Sequence, residues 1–129
     1  MKTSYVILIM SLISIPTNGV SEFKENDFFM ATSWKNTSFE DDRSCVLEAR
    51  KVLEFSKFTE KLDHTSSKNK DGSFSAWGQH TEKQGVYKAV IKCIPEVSAV
   101  FFVVGGSDAK TTRTLVDVLS DNFREEVAQ

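Results

Sequence analysis

The sequence predicts an α+β domain: a two-layer sandwich of ferredoxin-like character, with an antiparallel sheet of four to five strands and two helices on one face. Three observations predict it. Two segments place apolar residues at three- and four-residue steps, and several others alternate with period 2 or run almost wholly apolar. The order strand, helix, possible strand, three strands in meander, helix then lets both helices cover the same side of one sheet. The chain's 129 residues, 40% hydrophobic and 26% charged, fit one ordinary domain and exclude a multidomain enzyme.

The first segment reads as an address and not as part of the fold. Met1-Lys2-Thr3-Ser4 opens with a cation, an apolar run follows from Tyr5 to Ile15, and Pro16-Thr17-Asn18-Gly19 ends it. These are the parts of a secretory signal peptide over 1–19, leaving 20–129 as the mature domain. The apolar run is well short of the roughly 20 residues that span hydrocarbon, so a membrane anchor is the poorer reading. Removing 1–19 takes away Lys2 and no acid, which moves the formal charge from -2 to -3.

Residues 27–35, rich in strand formers, make the first strand. A helix follows, opened by Ser38-Phe39-Glu40-Asp41-Asp42, where Ser38 is expected to cap and the acids complement the positive helix end. Its apolar stripe is Cys45, Val46, Ala49, Val52, Leu53 and Ser56, against Arg43, Glu48, Arg50, Lys51 and Glu54 on the other side. Residues 57–63 fit either a short strand or an extension of that helix, and 65–72 form a polar loop. Residues 73–81 and 86–94 make a hairpin across Glu82-Lys83-Gln84-Gly85. Pro95-Glu96 turns the chain into a central strand over 97–104, and Gly105-Gly106-Ser107-Asp108 breaks it and caps a second helix reaching about Arg124. That helix buries Ala109, Thr112, Leu115, Val116, Leu119 and Phe123.

Export changes the reading of the two cysteines, because an oxidising compartment favours a disulfide. Lys88 and Lys92 occupy one face of the 86–94 strand, leaving Tyr87, Ala89, Ile91 and Cys93 on the other. Cys45 lies in the buried stripe of the first helix. A helix lying on the inner face of that strand brings the two sulfurs together, so a Cys45–Cys93 disulfide is expected.

The helical cysteine, the Tyr87-x-Ala89-x-Ile91-x-Cys93 strand, the Phe101-Phe102-Val103-Val104-Gly105 strand and the capped final helix together resemble small exported bacterial α+β domains of unassigned function. The resemblance covers most of residues 27–124. Its motifs are packing and disulfide positions, so it implies fold and export and carries no catalytic residue.

The search for chemistry returns little. His64 and His80 show no metal-ligand spacing, and no metal or cofactor is expected. His80 with Glu82 could do acid-base work in a cleft, but such a pair is more often a solvated strand end. No Gly-x-Ser-x-Gly elbow is present. The glycines of 105–108 could expose amides to an anion, yet the loop lacks a lysine and Asp108 would repel the ligand. Asn36-Thr37-Ser38 has the form of a glycosylation sequon, which matters only where the machinery exists.

A surface is the stronger candidate. The sheet face away from the helices should be polar unless it binds something. Phase along 73–81 sends Trp77 outward with Ser75 and Gln79, and Val90 lies outward between Lys88 and Lys92. The apolar strand must send out either Phe101 and Val103 or Phe102 and Val104, and one of Phe28 or Phe29 joins them. The candidate partner-binding residues are therefore Trp77, Val90, Phe101 and Phe102, unless residues 20–26 cover them. The function expected is an exported, non-enzymatic domain binding a protein partner or forming a homodimer through that face. A secreted enzyme or ligand carrier with a pocket near His64, His80 and the Gly105–Asp108 turn is the alternative. Aromatics on such a sheet can stack bases, but export and a net negative charge exclude nucleic acid. No membrane contact is expected after signal cleavage.

Overall fold

The computed structural model describes residues 28–39 and 41–124. The expected signal peptide at 1–19 and the segment 20–26 lie outside them. The elements are β1 (Phe29–Asn36), α1 (Asp42–Phe55), β2 (Glu60–His64), β3 (Phe74–Glu82), β4 (Gly85–Ile94), β5 (Ala99–Gly106) and α2 (Ala109–Asn122). The strands form one antiparallel open sheet in the order β1-β5-β4-β3-β2.

That order corrects the ferredoxin-like expectation. A split βαβ unit inserts one strand between those joined by its crossover helix, whereas here β5, β4 and β3 all separate β1 from β2. Helix α1 therefore carries the chain from one sheet edge to the other. The meander β2-β3-β4-β5 then returns strand by strand until β5 pairs with β1 through Phe29↔Gly106 to Asn36↔Ala99.

The inner face takes one parity from every strand. Ala31, Ala76, Tyr87, Ala89, Ile91, Cys93, Val100, Phe102 and Val104 are buried there with Cys45, Val46, Ala49, Val52 and Leu53 of α1 and Val116 and Leu119 of α2 in one continuous core. Val46, Leu53 and Leu119 are at most 1% exposed, each contributing about 1.5–3 kcal/mol relative to a solvated side chain. Phe123 follows α2 and sets its ring edge-on to Phe102 at 5.5 Å and to Phe39 at 5.7 Å, tying α2 to β5. Cys45 and Cys93 form the expected disulfide, with Cα atoms 6.2 Å apart.

Helix boundaries follow from caps. Asp41, not Ser38, is the N-cap of α1, accepting the Ser44 N–H at 2.7 Å. Its carboxyl is held below its ordinary value by the Ser44 amide and then the Ser44 hydroxyl. Asp108 caps α2 as expected and accepts from the Thr111 N–H at 2.8 Å. At the C-terminus of α1, Lys57 takes a left-handed φ of 74°, its N–H donates to Glu54 O, and the Phe58 N–H donates to Leu53 O at 2.9 Å. This pair of backward bonds is a Schellman closure. It ends the helix and turns Phe58 into the core, so residues 57–63 do not extend α1. Phe58 runs beside β3 at Gly78, where a Cβ would overlap the Phe58 carbonyl.

Two further boundaries move. Pro95–Val97 is a 3-10 turn closed by Ser98 at φ 49°, so the last strand starts at Ala99 and not at 97. Gly105 and Gly106 belong to β5 instead of breaking it. A Cβ at Gly105 would run into the Phe28 ring, so the glycine answers a close side-chain approach.

Candidate interaction face

The outer sheet face is assembled by the opposite parity. Register places Trp34, Phe101, Lys92 and Ser75 in one row across four strands. The next row is Thr32, Val103, Val90, Trp77 and Asp63, and the row after it begins Met30, Gly105, Lys88, Gln79. Among the expected anchors, Trp77 is partly buried, Val90 is 39% exposed and Phe101 is 37% exposed, all on this face.

Phe102 is the correction. It is fully buried, paired with Ser33 and Ile91 on the inner face and packed on Phe123. A strand's side chains alternate, so if Phe101 faces out Phe102 cannot. Register with β4 decides the phase, because Ile91 and Cys93 point inward and lie opposite Phe102 and Val100. Phe102 is core and contacts no outside partner.

The face holds more apolar surface than the expected anchors supply. Trp34 is 60% exposed and stacks on Phe101 with ring centroids 6.4 Å apart, and Met30 and Phe28 are 64% and 62% exposed. The sequence carried this signal in the even positions 28, 30, 32 and 34 of one alternating run. Alternation alone does not mark the outward side of this run, because β1 has no charged residue before Lys35. Of the two outward lysines, Lys92 is held by Asp71 at 2.6 Å, while Lys88 makes no ion pair among the described residues. The Lys92 ammonium, with the Ser73 hydroxyl and amide, holds the Asp71 carboxyl far below its ordinary range. The result is an apolar strip from Phe28 and Trp34 to Trp77, bordered by Lys88 and by the Lys92–Asp71 ion pair.

The alternative constellation is not assembled. His64 pairs with Ala76, and His80 lies four residues further along β3, about 13 Å at the strand rise. His64 Nδ1 lies 2.8 Å from Arg50 Nη1 in a groove with Arg43, Val46, Thr65 and Phe74. His80 faces the Lys57 carbonyl at 3.2 Å and Glu82 at 3.0 Å, with its ring 5.8 Å from Phe58. The 105–108 turn packs instead on the β3-β4 hairpin, where the Ser107 hydroxyl donates to Gln84 O at 3.3 Å. No group of three or more potential metal ligands occurs among the described residues. No helix among them is long and apolar enough to cross a membrane. No protein-family model, curated protein or solved structure matches the chain, so the functional reading rests on the geometry of this face.

Proposed function

We propose that the chain is a small exported, non-enzymatic domain that binds a protein partner, or a second copy of itself, through the open face of a two-layer α+β fold. The observation that carries this reading is the exposed strip Trp34-Phe101 with Val90 and Trp77, on the side that no helix covers among the described residues. Solvated sheet faces are ordinarily polar, and aromatic anchors dominate interface energetics. The Cys45–Cys93 disulfide supports an oxidising compartment, as does the signal-peptide pattern at 1–19.

The test is a pair of charge substitutions, Trp77→Asp and Phe101→Asp, followed by circular dichroism and sedimentation velocity of the protein in its native fluid and after purification. Both variants keep the fold, and at least one sediments as a smaller species than the wild type. Association unchanged by both substitutions overturns the reading.

A further inference from the structure

The sheet has two edges, and they are built differently. β2 carries Glu60, Lys61 and Asp63 in five residues, a register shift between Glu60 and Asp63, and a left-handed Lys61 at φ 53°. Charges and a bulge are the devices that keep an edge strand from pairing with another chain. β1 has no bulge and carries a single charge. Its eight residues pair with β5 in unbroken register, it contains no proline, and its one charge, Lys35, is turned inward to Ser120 O at 2.8 Å and Phe123 O at 3.0 Å.

The backbone of β1 shows which groups are open. Thr37 N–H donates to Ser98 O, so the odd residues 29–37 exchange hydrogen bonds with β5. The even residues Met30, Thr32, Trp34 and Asn36 therefore aim their N–H and C=O groups away from the sheet. Arg113 Nη1 reaches one of these, Thr32 O, at 3.2 Å, which confirms the direction. Two of the even residues, Met30 and Trp34, also carry exposed apolar side chains on the outer face.

Building on the reading of the open face as a binding surface, we propose that its partner is a second copy of this chain, joined by antiparallel pairing of β1 with β1 into a continuous ten-stranded sheet. An antiparallel strand is self-complementary about a two-fold axis. Setting Thr32 opposite Trp34 of the second copy uses all four open residues of each strand, for about eight hydrogen bonds. It also places both outer faces on one side, so the two Trp34-Phe101 stacks flank the axis. Aromatic side chains bury about 150–250 Å² each. At 60–62% exposure, Trp34 and Phe28 of two copies offer together about 500 Å². Met30 and the edge backbone bring the total toward the roughly 1,200 Å² at which stable interfaces begin. The dimer is thus of the weak class, assembling in the micromolar range. Arg113, whose side chain is 58% exposed, yields Thr32 O to the second strand and keeps its ion pair with Asp117.

The experiment is sedimentation of the full protein from roughly 1 µM to 1 mM, with amide exchange of Thr32 and Trp34 read over the same range. The mass rises to that of a dimer and the two amides gain protection with it. Thr32→Pro, which removes an N–H that β5 does not use, lowers the association constant at least tenfold, as does Trp34→Lys. Arg113→Ala raises it, and Glu60→Gln, on the opposite edge strand β2, leaves it within twofold. A dimer that survives Thr32→Pro and Trp34→Lys but is lost in Trp77→Asp overturns the edge pairing and leaves the open-face reading standing. A monomer at every concentration overturns the second copy, and amides already protected in that monomer identify the chain's own residues before β1 as the occupant.

Discussion

Replacing both Cys45 and Cys93 with alanine removes the covalent tie between the first turn of α1 and the inner face of β4. The cysteines are 4% and 2% exposed, 48 residues apart in sequence, and the only two in the chain. Closing a loop of that size removes chain entropy from the unfolded state worth about 4 kcal/mol at 25 °C. A domain of this size is stabilised by about 5–15 kcal/mol in total, so the loss takes a large fraction of it. In thermal terms the shift is on the order of 20 °C. The assay is urea and thermal unfolding followed by circular dichroism at neutral pH, on wild type, on wild type with reductant, and on Cys45→Ala/Cys93→Ala. Reduced wild type and the double variant should lose stability by similar amounts, and reductant should leave the variant unchanged. The urea dependence should steepen as well, because an uncrosslinked unfolded chain exposes more surface. A loss under about 1 kcal/mol would refute the reasoning, since it would mean the link restricts little of the unfolded ensemble.

Neighbouring phenylalanines provide a test of sheet phase: Phe102→Ala should cost about 3–5 kcal/mol in urea unfolding as a core truncation, whereas Phe101→Ala should cost about 1 kcal/mol or less; equal losses would invalidate the inner and outer assignment. Acid stability follows from Asp71, whose folded-state pKa lies below the ordinary 3.8 because Lys92 and Ser73 bind the carboxylate. A depressed carboxyl pKa gives stability that is present above the unfolded value and lost as pH falls from about 4 toward the folded value. Wild type should therefore lose stability below pH 4 more steeply than Asp71→Asn, measured by urea midpoints from pH 7 to pH 2, and parallel curves would count against the Lys92–Asp71 contact.

Much of the inner architecture was legible because its signals are local. Lysines at 88 and 92 mark the wet side of β4, and the three- and four-residue steps of Cys45, Val46, Ala49, Val52 and Leu53 mark the dry side of α1. Together they bring Cys45 to Cys93, as observed. The Schellman end of α1 was not legible, because the left-handed position usually filled by glycine holds Lys57. Nor was the capping residue, since Ser38 and Asp41 both have suitable side chains and only the docked start of the helix chooses Asp41.

The sequence by itself determined the class of the domain, the buried stripe of α1, that of α2 apart from Ala109, which the structure leaves exposed at the start of the helix, the phase of β3 and β4 and the cysteine pairing. Each of these is an alternation or spacing that any compact arrangement must bury in the same way. Only the tertiary structure decided the strand order and the phase of the apolar strand β5. Its run Val100–Val104 is apolar on both faces, so periodicity is silent there, and register with Ile91 and Cys93 sends Phe102 into the core and Phe101 to the surface. Strand order likewise depends on where α1 docks, which leaves β1 at the edge of the sheet, among the described residues, beside the exposed aromatic strip.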